Sequence, residues 1–239
     1  MPPRLGLNID HVATLREARK ATYPCPVAAA LVGELAGAAQ ITCHIRGDRR
    51  HIQDHDLDRL RASVQTLLNV ELAVTDEMLA IAKAVAPHRV TLVPERPGEV
   101  STEGGLDVVG HRDAIAAFTA ELQVAGIRVS LFIDPTADQV QASAMPGVDM
   151  VELNTAAYAE GGGVVEIERL AQASRLCQKL GVEVAAGHGL THHNLPELVA
   201  AVPEIIEYNI GHAIIGRSVF VGLDQAVRDI GRILAGQAP

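Results

Sequence analysis

The chain has 239 residues, 48% of them hydrophobic, and its 29 acidic against 20 basic side chains give a formal net charge of −9. This acidic balance argues against general binding to nucleic acid or to an anionic membrane, and no apolar run approaches the roughly 18 residues that a membrane span needs. The three cysteines form no CxxC pair, which argues against a disulfide framework and a zinc site and fits a reducing compartment. We expect a cytoplasmic protein with one domain over residues 1–239, in which any anion site is local.

Hydrophobic alternation predicts eight strands, and most segments between them carry apolar residues at helical spacing. The predicted strands cover residues 4–10, 41–45, 67–73, 89–93, 128–134, 150–154, 183–186 and 205–210. The segment after the first strand, which carries Arg16 and Arg19, is interpreted as a loop rich in arginine and proline. Val27, Leu31 and Leu35 then predict a helix that stops at Gly37.

Three polar residues stand where helix N-caps are expected. Asp54 and Thr75 precede helical patterns, and Asp134 precedes a proline at an expected first helical position. The longest connection, residues 94–110, has the length of a functional loop or lid over a site.

Eight alternating strand and helix units of about 30 residues each are typical of an α/β protein with the (β/α)8 TIM-barrel fold. The alternative, a doubly wound parallel sheet, usually has fewer strands and a glycine-rich fingerprint at its first turn. The first turn here, NIDHVATL, contains no GxGxxG. We therefore expect a single TIM barrel with extra short helices.

Polar residues cluster at the predicted carboxyl ends of the strands, which form one face of a barrel and hold the reactive groups of barrel enzymes. They are Asn8, Asp10 and His11 at the end of the first strand, His44 and Arg46 at the end of the second, Glu71 in the third, Glu152 and Asn154 in the sixth, His188 at the end of the seventh, and Gly211 and His212 at the end of the eighth. We expect these residues, distant in sequence, to converge on one cavity.

Glu71 and Glu152 lie in otherwise apolar strands, where an ionised carboxylate costs several kcal/mol unless it is paired or its pKa is raised. Each is therefore either a salt-bridge partner or a working acid or base, and we favour the second role. His44 and His188 titrate near neutrality and can exchange protons with a substrate, although a single histidine is more often a satisfied core residue.

Two places suit phosphate groups. The segment GHAIIGRS after the eighth strand resembles the glycine turn and helix start that bind phosphate in many barrels. A second anion site is indicated by Arg46 and His51, with a hydroxyl from Ser101 or Thr102 in the long loop. Two phosphate positions on one face imply either one bisphosphate or two monophosphates.

The sequence gives little support for a metal site or for catalysis by a Schiff-base lysine. The sequence has no HxH pair or other metal-ligand spacing, and none of its three lysines falls at the end of a strand, which argues against a Schiff-base aldolase. We expect neither a metal nor another cofactor.

The chain resembles the pyridoxine 5'-phosphate synthase family in six segments that span nearly its whole length: NIDHVATLREAR, ITCHIRGDRRHI, NVELAVT, LVPERPGEVSTEGGLDV, AAGHGLTHHN and NIGHAIIGR. The resemblance implies a transferase-type enzyme of vitamin B6 (pyridoxine) biosynthesis. It would condense two small phosphorylated substrates, 3-amino-2-oxopropyl phosphate and 1-deoxy-D-xylulose 5-phosphate, into pyridoxine 5'-phosphate, phosphate and water. It also implies a homo-octamer built as a tetramer of dimers.

Residue by residue, the resemblance implies that His44 and Glu71 accept protons, that His188 donates one, and that Glu152 stabilises cationic intermediates. The residues implied to hold the aminoketone phosphate are Asn8, Arg19, Gly189, Gly211 and His212. Those implied to hold the deoxyxylulose phosphate are Asp10, His11, Arg46, His51 and a hydroxyl of Ser101 or Thr102. Relatives commonly have threonine where this chain has Ser101, so the choice between the two hydroxyls stays open.

Two alternatives remain beside this synthase. One is a non-catalytic barrel that binds phosphometabolites, and the other is a different phosphosugar lyase or isomerase, which would turn over one substrate alone.

Overall fold

The computed structural model describes residues 2–95 and 104–237, which form a ring of strands surrounded by helices. The strands are β1 (Arg4–Asn8), β2 (Gln40–His44), β3 (Leu67–Leu72), β4 (Arg89–Leu92), β5 (Arg128–Ile133), β6 (Met150–Asn154), β7 (Glu183–Gly187) and β8 (Glu207–Ile210). The helices are α1 (Asp10–Glu17), α2 (Pro26–Leu35), α3 (Asp54–Ser63), α4 (Asp76–Val85), α5 (Arg112–Val124), α6 (Ala137–Ser143), α7 (Gly163–Leu180), α8 (Leu195–Ala201), α9 (His212–Val221) and α10 (Leu223–Leu234). A π-helical turn, Tyr158–Gly162, precedes α7.

The strands close into a barrel in which each strand pairs in parallel with its sequence neighbours, and β8 pairs with β1 through Arg4–Glu207 to Leu7–Ile210. This confirms the (β/α)8 TIM barrel. The additional helices α1 and α9 lie directly after β1 and β8, at the carboxyl ends of the strands. Within the part of the chain that the structure describes, no helix combines the length and the apolar character needed to cross a membrane.

The two faces of the barrel wall differ in chemistry. The outward face is apolar and packs on the helices, with Leu7, Ile41 and Leu131 among its fully buried side chains. The inward face is largely polar. For example, Arg89 of β4 reaches across the interior to Glu207 of β8, with 2.6 Å between Arg89 Nη1 and Glu207 Oε1. Most of the hydrophobic core therefore lies between the strands and the helices.

The segment after β1 differs from the expected loop. The first strand ends at Asn8, and Asp10 begins α1, which buries Val12, Ala13 and Arg16. The sequence did not predict this helix because its eight residues include a buried arginine and lack the repeated apolar spacing that indicates a helix.

One predicted N-cap is confirmed and two are wrong. Thr75 caps α4 by accepting a hydrogen bond from the Met78 N–H. Helix α3 is capped at Gln53 instead of Asp54, because the Asp56 carboxylate accepts the Gln53 N–H at 2.9 Å. Helix α6 begins after Thr136, and Asp134 instead accepts hydrogen bonds from the Gly105 N–H and the Asn154 amide.

A buried ion pair joins the segments that follow β1 and β2. Both terminal nitrogens of Arg16 donate to the Asp56 carboxylate at 2.7 Å, and Nη2 also donates to the carbonyl of His51 at 3.1 Å. Arg16 is thus committed to structure, and through it α1 fixes the backbone of His51, a predicted phosphate ligand.

We predict that Asp56→Asn lowers the free energy of unfolding by about 3–5 kcal/mol, because the buried Arg16 charge loses its buried counter-ion and keeps only the partly exposed Glu17, which lies 2.9 Å from Arg16 Nε. Urea unfolding measures the difference. Asp58→Asn, the same change at an exposed position of α3, should alter stability by less than about 0.5 kcal/mol. Equal effects of the two changes would contradict this role of the pair.

Candidate active site

One cavity of about 810 Å³ opens at the carboxyl ends of the strands. The predicted site residues that line it are Asn8, Asp10, His11, His44, Arg46, His51, Glu71, Glu152, His188, Gly189, Gly211 and His212. Further lining residues that the sequence did not single out include Thr14, Arg50, Phe132 and Asn209. The expected convergence of distant polar residues is therefore observed, and the acid, base and anion-binding candidates share one space.

Asn154, which was expected at this face, does not appear in this lining and instead donates its amide to Asp134. Three predicted substrate ligands are also missing from it. Arg19 is exposed beyond the end of α1 and lies outside the cavity wall. Ser101 and Thr102 fall outside the described residues. The roles of these three residues stay predictions.

Glu152 lies at the floor of the cavity and is 4% exposed. Its Oε2 accepts a hydrogen bond of 2.7 Å from Asn209 Nδ2. Burial raises the pKa of Glu152 to about 7, the nearby charge of Glu207 adds to the rise, and the Asn209 hydrogen bond and Arg89 oppose it. The carboxyl can therefore change its charge near neutral pH.

A chain of hydrogen bonds fixes the orientation of Asn209. Its Oδ1 accepts from Gln40 Nε2 at 3.1 Å, which leaves its Nδ2 to donate to Glu152. Gln40 Nε2 also lies 3.3 Å from Glu207 Oε1, which in turn accepts from Arg89. The polar interior of the barrel thus reaches from its base to the cavity floor.

Two glycines leave room for this arrangement. A Cβ at Gly6 would lie 1.9 Å from Asn209 Oδ1, and a Cβ at Gly187 would lie 2.2 Å from Glu152 Oε1. Any side chain at either position would push the amide or the carboxylate aside. These glycines serve the site by their small size, since neither has a positive φ.

Glu71 and His44 stand side by side because β2 and β3 pair them in register. Glu71 Oε2 lies 3.9 Å from His44 Nδ1. Burial raises the pKa of Glu71 well above its ordinary value, and the negative charges of Glu152 and Asp10 raise it further. Glu71 therefore keeps its proton to a higher pH than an ordinary glutamate does.

A third carboxylate, Glu95, contacts His44 from the side opposite Glu71. Glu95 Oε1 lies 3.0 Å from His44 Nε2, and Glu95 Oε2 accepts the Gly47 N–H at 3.0 Å. Although burial acts in the other direction, the hydrogen bonds from His44 and Gly47 hold the pKa of Glu95 below its ordinary value. Glu95 is therefore ionised at neutral pH, whereas the pKa of Glu71 is shifted in the opposite direction.

Asp10 also organises the wall beside His44. Its Oδ1 accepts the backbone N–H of His44 at 2.8 Å, and its Oδ2 accepts from Asn8 Nδ2 at 2.9 Å. Asp10 thus holds the end of β2 and the amide of Asn8, in addition to lining the cavity.

His188 occupies a strained turn at the end of β7. Its φ is 85°, a left-handed conformation that costs a non-glycine residue free energy and must be held by its surroundings. The Thr155 hydroxyl lies 2.7 Å from the Gly187 carbonyl and 2.5 Å from the His188 carbonyl. Burial lowers the pKa of His188, so the ring is a readily dissociating acid once it is protonated.

Residues of both expected anion sites line the cavity. Gly211 precedes α9, whose first backbone N–H groups and dipole favour a phosphate, and the His212 ring packs 4.9 Å from that of His11. Arg46 is buried, as is most of His51, whose pKa is lowered mainly by burial. Residues 2–95 and 104–237 contain no group of three or more histidine, cysteine or acidic side chains arranged to hold a metal ion.

Sequence reasoning missed Glu95, Asn209 and Thr155. Glu95 and Asn209 could have been found by the rule that identified Glu71, because each is a polar residue in or just after an apolar strand. Thr155 follows β6 and carries no comparable signal, since its role depends on the fold of the neighbouring β7 turn.

Comparison with known proteins places these features in a family. The model of the family described as "Pyridoxal phosphate biosynthesis protein PdxJ" matches residues 5–236. A protein named pyridoxine 5'-phosphate synthase from Citrifermentans bemidjiense is 52% identical over 235 residues, which cover 97% of this chain and 98% of that protein. One of the same name from Geobacter sulfurreducens is 54% identical over 231 residues, which cover 95% and 96%.

Solved structures agree on the fold. The tryptophan synthase α-subunit from Pyrococcus furiosus matches with a TM-score of 0.64 at 15% identity, over 98% of each chain. A phosphoribosylanthranilate isomerase from Thermotoga maritima matches with a TM-score of 0.60 at 11% identity, over 98% of this chain and 99% of that one. At these identities the likeness shows the barrel alone.

We predict that Glu152→Gln gains stability relative to the parent as the pH rises. The folded protein raises the pKa of Glu152 from 4.5 to about 7, so the unfolded chain releases this proton first and the parent loses stability between those pH values. Glutamine keeps the shape and the Asn209 contact without titrating. The difference in free energy of unfolding should therefore change by up to about 3 kcal/mol in favour of the variant between pH 4.5 and pH 8.

Urea unfolding across that pH range measures the difference. Glu121→Gln, which changes an exposed glutamate on α5, serves as the control and should show no such gain. A Glu152→Gln difference that is independent of pH would contradict the raised pKa.

Proposed function

The chain belongs to the family described as pyridoxal phosphate biosynthesis protein PdxJ, and from that premise we propose that it is a pyridoxine 5'-phosphate synthase. It condenses 3-amino-2-oxopropyl phosphate with 1-deoxy-D-xylulose 5-phosphate and releases phosphate and water. The observation that carries the proposal is the meeting of His44, Glu71, Glu152 and His188 in one cavity that is also lined by the residues expected to bind phosphate. Its volume of about 810 Å³ suits two small phosphorylated molecules held together.

Substrate chemistry explains why acids and bases suffice. The aminoketone phosphate brings its own amine, so an imine can form between the two substrates without a lysine. The enzyme then has to move protons during dehydration, loss of phosphate and ring closure. Both reacting molecules are held by their phosphate groups, which turns an encounter in solution into a reaction within one complex.

His44 and Glu71 are assigned as proton acceptors. Their contact of 3.9 Å lets a proton pass between them with a small movement. A carboxyl with a raised pKa is a strong base once it has lost its proton, which suits Glu71 to this role. His188, on the opposite wall, is assigned as the proton donor, and its lowered pKa favours release of a proton to the substrate.

Glu152 is assigned to the stabilisation of cationic intermediates. With a pKa of about 7, the carboxyl is partly neutral in the empty site, and a cationic imine beside it would favour the ionised form. The negative charge is then greatest when the positive charge of the intermediate is present. Asn209 keeps the carboxyl in place throughout.

The phosphate assignments follow the family resemblance. Asn8, Gly189, Gly211 and His212 are assigned to the aminoketone phosphate, and Asp10, His11, Arg46 and His51 to the deoxyxylulose phosphate; all of them line the cavity. Arg19 and the hydroxyl of Ser101 or Thr102 are retained as proposed ligands of the respective substrates.

We predict that Glu71→Gln lowers the rate of phosphate release from the two substrates by about 10²- to 10⁴-fold, the range of a lost general base. Both phosphates should still bind, because glutamine has nearly the same shape, and calorimetry measures that binding. Glu121→Gln serves as the control and should retain full turnover.

Full activity of the Glu71→Gln protein would remove Glu71 from its role. A parent protein that binds both compounds without releasing phosphate would instead indicate the non-catalytic binding barrel. Turnover of one substrate alone would indicate a lyase or an isomerase.

We also propose that the protein forms a homo-octamer built from dimers and works in the cytoplasm. Exposed apolar side chains on α1, α2 and α9, among them Leu15, Leu35 and Phe220, suit contacts between copies of the chain. Sedimentation should give the mass of an octamer of the 25.3 kDa chain. A monomeric mass would contradict the assembly.

A further inference from the structure

The Glu95 carboxylate bridges His44 and the turn after β2. One of its oxygens lies 3.0 Å from His44 Nε2, and the other accepts the Gly47 N–H at 3.0 Å. Both side chains are largely shielded from water, with 17% of the Glu95 side chain and 6% of the His44 side chain exposed. The carboxylate is therefore held on both oxygens, and it holds one edge of the His44 ring.

We infer that Glu95 is a positioning residue for His44, which fixes the Nε2–H form of the ring and leaves Nδ1 as the proton acceptor. A neutral imidazole has one N–H donor and one acceptor nitrogen, and an ionised carboxylate can only accept. The contact with Glu95 therefore requires the hydrogen on Nε2. The lone pair of Nδ1 then lies on the side of Glu71, 3.9 Å away. This inference rests on the proposed function, in which His44 accepts a proton.

The charge of Glu95 adds to the effect of its geometry. When Nδ1 takes up a proton, the ring becomes a cation, and the ionised carboxylate at Nε2 stabilises that cation in a site of low exposure to water. The same logic operates where a buried aspartate orients the histidine of a serine hydrolase. Glu71 is less suited to supply this charge, because its pKa is raised.

Glu95→Gln separates the charge from the shape. Glutamine has the same length, but its amide offers one accepting oxygen and one donating NH₂, whereas Glu95 faces two N–H donors. One of the two contacts must therefore be lost or reversed. We expect kcat for phosphate release to fall about 10- to 100-fold while KM for each substrate changes by less than about 3-fold, because Glu95 is not among the residues that line the cavity.

A spectroscopic measurement tests the contact without any turnover. In protein labelled with ¹⁵N-histidine, the His44 Nε2–H proton should give a downfield signal, assigned by its absence in His44→Gln. Glu95→Gln should shift or abolish that signal. Glu121→Gln, which removes a carboxylate on the outer helix α5, should leave both the signal and kcat unchanged.

Each result decides the inference. Loss of kcat together with a changed Nε2–H signal supports it, and Glu95→Ala, if Glu95→Gln unfolds, should give the same pair of changes. Unchanged kcat, a rise in KM alone, or loss of kcat with an unchanged signal would each overturn it. A parent without turnover would overturn the proposed function, whereas the parent signal would still report on the His44 contact.

Discussion

The chain of hydrogen bonds through the barrel interior, from Arg89 and Glu207 through Gln40 and Asn209 to Glu152, is the constraint on which the site depends. Barrels of this fold usually fill their interior with layers of branched apolar side chains. Here the buried Arg89–Glu207 pair must be desolvated, and such pairs seldom add net stability. The apolar layer between strands and helices has to supply that stability, and in return the interior holds a carboxyl at the cavity floor in one orientation.

Three glutamates in and beside the cavity show how environment shifts protonation. Burial raises the pKa values of Glu71 and Glu152; the charges of Glu152 and Asp10 raise that of Glu71 further, and the charge of Glu207 raises that of Glu152. Glu95 faces the His44 ring and a backbone N–H, which lower its pKa. Two glutamates therefore place a carboxyl that holds its proton more tightly than usual and a fixed negative charge on opposite sides of one histidine, an arrangement suited to proton transfer.

Among the charged residues near the carboxyl ends of the strands, some are paired within the protein and others line the cavity. Arg16 is saturated by Asp56 and the His51 carbonyl, so it stabilises the wall of the cavity without facing a ligand. Asp134 is likewise occupied by Gly105 and Asn154. Arg46 and His51 instead line the cavity, where we propose that they bind a substrate phosphate.

The sequence by itself determined the barrel and most of the site, because alternating strands and helices have one common closed arrangement and the strand ends of that arrangement meet at one face. A polar residue in an otherwise apolar strand costs free energy unless it has a partner or a function, and this rule identified Glu71, Glu152, His44 and His188. Tertiary structure alone decided that the segment after β1 is a helix, that Arg16 is structural, and that Glu95 lies against His44. These outcomes depend on partners distant in the chain, such as Asp56 for Arg16 and Gly47 for Glu95, and local spacing carries no information about which distant groups will meet.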